Sequence, residues 1–311
     1  MVTAKELASR PERFYPGHRA CSGCGFPQAI RFVLKAARNP VVVSVATGCL
    51  EVTSTAYPYT AWNCSFIHSA FENTAATMSG IVGAYEGLKR FKGDDNRQLD
   101  FIAFGGDGGS YDIGFQALSG AMERGHDFLY VCYDNGSYAN TGVQRSGATP
   151  RGAHTTTTPA GDRSHGKPQF RKDLTGIIAA HNIPYVAQSA ISHWRDVVTK
   201  AEKGLAVKGP AFLNIMAPCR LTWGTPPEET IDVTRHAVES CFWPLYEVED
   251  GNWVLNFRPK KKRSFIDWLR RQRRFSHLFR KEKENVNLLQ ELEDEVENRW
   301  KRLLERCQEP H

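Results

Sequence analysis

No run of apolar residues among the 311 positions reaches the roughly 20 that a membrane-crossing helix needs. The opening segment, Met1 to Pro16, is polar and mixed in charge, without the apolar core of an export signal. No internal repeat is present. These absences lead to the expectation of a cytoplasmic chain away from membranes. Extreme composition is missing too: 41% hydrophobic and 24% charged residues describe an ordinary globular protein, long enough for one large domain or two small ones. The net charge of +6 is unevenly spread. Its excess lies between Arg258 and Lys283, beginning with Lys260, Lys261, Lys262 and Arg263, so it says little about the partners of the main body.

What is there begins with eight cysteines. In a short exported chain they would suggest a disulfide frame; in a longer intracellular one, special spacings point to metal binding or redox work. Apolar runs at Val41 to Val45, Phe101 to Phe104, Phe128 to Tyr133, Tyr185 to Ala187 and Phe212 to Met216 read as buried strands. Helical patterns separate them at Pro27 to Arg38, Ser69 to Arg90, Ile113 to Arg124, Leu174 to His181 and Trp194 to Ala206. This alternation predicts an α/β fold, a parallel sheet covered by helices on both faces. Ligands of such sheets bind beyond the carboxyl ends of the strands. Four ends here run into Thr47-Gly48-Cys49, Gly105-Gly106-Asp107-Gly108-Gly109, Asp134-Asn135-Gly136 and Ala217-Pro218-Cys219. The stretch from Gly136 to Lys172 is rich in Gly, Thr, Ser and Pro and is long for a plain connection, so it is expected to be functional or wrapped on a partner. Beyond Pro259, Leu288, Leu289, Leu292, Val296, Trp300, Leu303 and Leu304 recur at helical spacing.

Gly106-Asp107-Gly108 closes a strand and opens a helix, where glycine lets backbone amides approach phosphate and the helix end favours negative charge. Asn135 follows Asp107 by 28 residues, enough for one helix and one strand, so both are expected at the same sheet edge. A carboxylate, an amide oxygen and a backbone carbonyl suit magnesium completed by a diphosphate. Alone, the Gly-Asp-Gly triplet is as easily a plain turn. The second constellation is Cys21-Ser22-Gly23-Cys24 with Cys49 and Cys219 at two strand ends. Zinc or a four-iron four-sulfur cluster fits such a set. One local pair with two distant thiols tilts the layout toward the cluster, since structural zinc sites usually use two local pairs. A thioredoxin-like redox pair is the third reading. Cys64, Cys132, Cys241 and Cys307 lack companions and read as small apolar residues.

Taken together, Tyr15-Pro16-Gly17-His18, Cys21-Ser22-Gly23-Cys24-Gly25 and Ala46-Thr47-Gly48-Cys49-Leu50-Glu51 resemble the β subunit of the pyruvate:ferredoxin oxidoreductases. Ile67-His68-Ser69, Phe71-Glu72-Asn73, the Phe104 to Tyr111 glycine run, Tyr133-Asp134-Asn135, Asn140-Thr141-Gly142, Gln144-Arg145-Ser146-Gly147, Thr155 to Gly161 and Ala217-Pro218-Cys219 continue the likeness over residues 14–250. Arg273-Arg274-Phe275-Ser276-His277-Leu278 is similar to the family's C-terminus. The resemblance implies a thiamine-diphosphate-binding fold over residues 1–255 and a charged helical tail, 256–311, packing on a partner subunit. It implies that Cys21, Cys24, Cys49 and Cys219 hold one 4Fe-4S cluster. By the same likeness Asp107, Asn135 and the Ser137 carbonyl hold Mg2+. Gly48, Cys49, Gly106, Gly108, Gly109, Asn140 and Thr141 would then border thiamine diphosphate, with Asn140 catalytic, near the substrate. The reaction implied is oxidative decarboxylation of a 2-oxoacid, pyruvate with coenzyme A, with electrons passed to ferredoxin. Partner subunits would complete the thiamine site, bringing a glutamate for the aminopyrimidine and an arginine and threonine for the substrate, and would carry further clusters on a ferredoxin-like part. This chain itself has no tandem Cys-x-x-Cys-x-x-Cys run.

One departure is Phe26, where many pyruvate enzymes carry an acidic residue. It leaves an oxalate-oxidising relative, independent of coenzyme A, as an alternative. A non-redox thiamine enzyme with structural zinc is a second. A nucleic-acid binder using Lys260 to Arg274 with Phe265 and Trp268 is a third, set against the plainer reading of a partner-wrapping tail, and no nucleic-acid partner is expected. Glu51 and Glu72 read as structural or interface carboxylates, His68 as a hydrogen-bonded structural histidine, and Arg145 equally as a phosphate contact or a surface ion pair.

Overall fold

Eight segments become the strands of one sheet, the central ones from continuous apolar runs: β1 (Val41–Ala46), β2 (Ser65–Ser69), β3 (Asp100–Gly106), β4 (Leu129–Asp134), β5 (Tyr185–Ala190), β6 (Ala211–Met216), β7 (Tyr246–Glu249) and β8 (Asn252–Leu255). The computed structural model describes residues 2–93, 97–161, 163–280 and 285–307. The order across the sheet is β8-β7-β5-β6-β4-β3-β1-β2. β2, β1, β3, β4, β6 and β5 run parallel. The expected parallel sheet is formed by these six strands, and at one edge β7 pairs antiparallel with β5 and folds back into β8. That hairpin turns through Asp250 and Gly251, both at positive φ (48° and 82°), as an Asp-Gly pair favours.

Successive side chains of the central strands point to opposite faces and feed two cores. Ile102 and Phe104 of β3 join one, with α1 (Phe26–Ala36) and α6 (Trp194–Ala206). Phe101 and Ala103 join the other, with α3 (Thr74–Lys92) and α4 (Phe115–Glu123). β1 runs into the short α2 (Cys49–Ser54), and α5 (Leu174–Ala179) precedes β5. The helix expected from Ser69 begins instead at Thr74, because Ser65–Ser69 is the exposed edge strand β2. The helix expected from Ile113 begins at Phe115, after a wide helical turn over Gly108–Ile113.

The tail folds onto the chain's own body. Phe265, Trp268, Leu269, Phe275, Leu278, Leu289, Leu292 and Val296 share a third core with Met216, Trp223 and Val233. They come from α8 (Phe265–Arg270), α9 (Val286–Arg306) and the segment between them, while Val233 lies on α7 (Thr230–Glu239). Part of the basic run forms ion pairs within the chain: Lys262 with Glu297, Arg263 with Glu239, and Arg271 with Asp232 and Glu229. With Phe265 and Trp268 buried, no aromatic ring of that run is left to stack on a base.

Candidate cofactor and metal site

The thiols meet through backbone contact. Cys24 N–H donates to the Cys21 carbonyl at 3.0 Å, closing the tight turn, and the next N–H, of Gly25, donates to Pro218 O at 3.0 Å. Glycine is required there. A Cβ on Gly25 would lie 2.7 Å from the Ala217 carbonyl carbon and 2.8 Å from Pro218 N. Thr230 Oγ1 donates to Gly23 O at 2.6 Å and fixes the turn from its other side. Cys219 follows Pro218, and Cys49 opens α2 at the end of β1. Burial first, then the fields of Cys219, Cys49 and Cys21, push the Cys24 thiol up to about 12. Cys49 is likewise pushed up to about 12 by burial, Cys219, Cys21 and Asp107. Burial of this kind favours the neutral thiol, and a positive centre beside it would favour the thiolate. Of the other four, Cys132 and Cys241 are buried and Cys64 and Cys307 half-buried. Among the described residues no three Cys, His, Asp or Glu side chains gather closely enough to hold a single metal ion.

Across Cys49 lies the carboxylate side. Asp107, 1% exposed, follows β3, and Asn135, 8% exposed, follows β4. Asp107 Oδ1 accepts from Asn135 N at 3.3 Å and Oδ2 accepts from the Ser146 hydroxyl at 2.5 Å. No lysine or arginine pairs directly with it among the described residues. Burial, and then the nearby Asp134, push its carboxyl well above the usual carboxylate range. Burial thus favours its neutral form, and its ionised form would need a positive partner. The Ser137 hydroxyl donates to Asn135 Oδ1 at 3.0 Å, and Trp223 Nε1 donates to Asn135 O at 2.7 Å. Asp134, by contrast, is fully engaged. It accepts from Arg171 at 2.7 Å, the Tyr111 hydroxyl at 2.6 Å and Gly136 N at 3.0 Å.

A cavity of about 200 Å³ joins the two sides. Gly48, Cys49, Gly106, Asp107, Gly108, Asn135, Ser137, Asn140 and Thr141 line it, together with Thr47, Phe71, Tyr133, Tyr138 and Ala139. Cys49 therefore belongs both to the cavity and to the thiol group. Cys21, Cys24 and Cys219 lie outside the lining. So does Gly109, whose absent Cβ faces the Phe71 carbonyl at 3.1 Å; that glycine serves packing. Gly108 has no room for a side chain, since a Cβ would lie 2.3 Å from the Tyr138 ring. Phe26 packs its ring 5.9 Å from that of Tyr133 and so backs the cavity wall with an apolar group.

Several contributors were not visible in the sequence. Ser146 belongs to the long Gly136 to Lys172 stretch, which folds over the site; Arg171, from the same stretch, reaches Asp134 and stacks 4.6 Å over Trp243. The signals that marked this stretch were its glycine and threonine content and, for Ser146, the Gln144-Arg145-Ser146-Gly147 likeness, neither of which gave the side chain a role. Thr47 Oγ1 lies 2.6 Å from His68 Nε2, and His68 Nδ1 lies 3.7 Å from Glu51 Oε1, so the two residues read as structural partners hold a cavity-wall hydroxyl. Arg145 makes no ion pair among the described residues; its backbone N–H donates to Thr157 Oγ1 at 2.9 Å. Among the described residues no helix is long and apolar enough to cross a membrane.

Residues 46–215 match the family described as thiamine pyrophosphate enzyme, C-terminal TPP binding domain. The chain is 50% identical to pyruvate synthase subunit PorB of Methanocaldococcus jannaschii, over 86% of this chain and 91% of the relative. It is 45% identical to the subunit of the same name from Thermotoga maritima, over 97% and 96%. It is also 40% identical to ketoisovalerate oxidoreductase subunit VorB of Pyrococcus abyssi, over 94% of each. Among solved structures, a 2-oxoglutarate:ferredoxin oxidoreductase from Magnetococcus marinus superposes with a TM-score of 0.55 at 20% identity, covering 67% of this chain and 66% of that one. This last likeness speaks for the fold.

Proposed function

The chain belongs to the PorB-type β subunits of the 2-oxoacid:ferredoxin oxidoreductases, a branch of the thiamine pyrophosphate enzymes, and from that premise we propose that it binds thiamine diphosphate through Mg2+ and passes electrons through a 4Fe-4S cluster held by Cys21, Cys24, Cys49 and Cys219. The observation that carries the proposal is Cys49. One residue lines the cofactor cavity and also feels the charge of Cys219 and Cys21. One local pair joined by two thiols from distant strand ends favours a cluster over zinc. Pyruvate is the substrate that the relatives' names favour, with coenzyme A as the acceptor that the family resemblance implies; oxalate oxidation is the alternative.

Thiamine diphosphate, when bound, supplies the carbanion chemistry of decarboxylation, and the cluster accepts electrons one at a time. The chain's own residues do the rest. Asp107, Asn135 Oδ1 and the Ser137 carbonyl would hold the metal, with Asp107 braced by Ser146 and Asn135 by Ser137 and Trp223. Phe71, Tyr133 and Tyr138 keep the cavity apolar, and Asn140 and Thr141 offer hydrogen bonds at its rim. The cavity is smaller than the roughly 300–1,000 Å³ that encloses a ligand of cofactor size. The remaining wall is therefore the work of another subunit. The substrate-gripping groups, ferredoxin contact and further clusters belong to such partners.

The test is dye reduction by the purified complex with pyruvate, 2-oxoglutarate and oxalate, each with and without coenzyme A. Reduction that needs pyruvate and coenzyme A is expected. Reduction by oxalate alone would move the assignment to the oxalate enzyme, and reduction by none would refute it.

A further inference from the structure

The C-terminal tail sends one charged side chain into the interior. Arg274 is 4% exposed, and it lies beneath the segment that carries Asn135 and Ser137. Its guanidinium stacks 4.3 Å over the Trp223 ring. Its Nε donates to Gln272 Oε1 at 2.9 Å. Nη1 is buried without a hydrogen-bond partner and faces Gly136, 3.1 Å from where a Cβ on that glycine would stand. Trp223 in turn donates from its indole to Asn135 O at 2.7 Å. The backbone is tied as well, since His154 N–H donates to Arg274 O at 2.8 Å. A buried guanidinium is costly, and burial pushes this one down to about 9, against the opposing pull of Asp134. A residue kept at that cost, packed against the metal-binding segment, points to a purpose beyond tail packing, which Phe275 and Trp268 already serve.

We propose that Arg274 is a positioning residue for the cofactor: stacked on Trp223 and facing Gly136, it holds the Asn135–Ser137 segment in its metal-binding conformation, so that the tail forms part of the thiamine diphosphate site. The inference rests on the reading of that segment as the magnesium and diphosphate site. It makes tail docking and cofactor binding reciprocal, because a coupling free energy acts equally in both directions. Planarity matters, since lysine carries the charge but cannot stack flat on an indole.

The test uses the purified complex, with thiamine diphosphate affinity measured by fluorescence at saturating Mg2+ and with hydrogen exchange read over residues 264–280. In the unmutated complex, added thiamine diphosphate and Mg2+ are expected to slow exchange in that tail segment. Arg274→Met is expected to weaken thiamine diphosphate at least tenfold and to abolish the slowing. Arg274→Lys is expected to weaken it comparably, and Trp223→Phe, which keeps a ring and loses the N–H to Asn135, several-fold. An affinity within twofold of the parent for both Arg274→Met and Trp223→Phe would overturn the inference. So would full affinity in Arg274→Lys, or tail exchange in the unmutated complex that is indifferent to the cofactor. An unmutated complex that binds no thiamine diphosphate at all would instead sink the site assignment itself.

Discussion

Gly25→Ala should open the thiol group without touching a thiol. The new Cβ would stand 2.7 Å from the Ala217 carbonyl carbon and 2.8 Å from Pro218 N, where ordinary contact begins at 3.4 Å. Both obstacles are backbone, so the turn carrying Cys21 and Cys24 must retreat from the strand end carrying Cys219 by about 0.7 Å. Overpacking of this kind costs about 1–3 kcal/mol, and the weakened Gly25 N–H to Pro218 O bond adds about 1 kcal/mol. Gly17→Ala is the control, because nothing lies within 4 Å of a Cβ at that position. The assay is iron content and visible absorbance of the purified complex, with a urea midpoint alongside. Gly25→Ala is expected to lose iron and stability together while Gly17→Ala keeps both. Equal iron and equal midpoints in the two variants would refute the claim that this contact sets the thiol geometry.

Other outcomes follow from the same structure. Asp107→Asn removes a buried carboxyl that lacks a direct cationic partner, so the cofactor-free chain should hold or gain stability in urea while Mg2+-dependent thiamine diphosphate binding weakens about ten- to hundredfold; a loss of stability with unchanged binding would contradict the role. Lys167, pushed down to about 8 chiefly by burial, binds fewer protons folded than unfolded between pH 8 and its ordinary 10.5. Its contribution to stability should therefore rise with pH across that window, and the urea midpoint of the parent should climb relative to Lys167→Met there. Trp268→Ala empties a fully buried site and removes the indole N–H bond to the Val233 carbonyl at 3.0 Å, at about 3–5 kcal/mol by chemical denaturation; a cost below about 1 kcal/mol would mean that the tail is not docked.

Much of this was legible in the sequence because it was written in strand ends. β1, β3, β4 and β6 are buried on both faces, so their apolar runs are continuous and their polar termini stand out. β2 was missed because an edge strand with Ile67 and His68 exposed carries no apolar signal. The β7–β8 hairpin was missed although Asp250-Gly251 announces its turn. Within the site, Asp107, Asn135 and the cysteines could be named because their chemistry is uncommon at such positions. Ser146, Arg171 and Arg274 could not: each arrives from a distant segment, and only folding shows that the long stretch and the tail close over the same sheet edge. The tail's apolar residues were seen, but their target was not. They pack on Met216, Trp223 and Val233 of the same chain, while any contact of the tail's outer face with a partner remains a proposal.

The central claim is that thiamine diphosphate and a cluster share one wall, at Cys49. The most direct measurement is the visible spectrum of the anaerobic, purified complex before and after pyruvate and coenzyme A, with and without bound thiamine diphosphate and Mg2+. A brown protein whose absorbance bleaches only when both cofactors are present is the predicted result. A colourless protein that yields zinc, or a colour that pyruvate never bleaches, would contradict it.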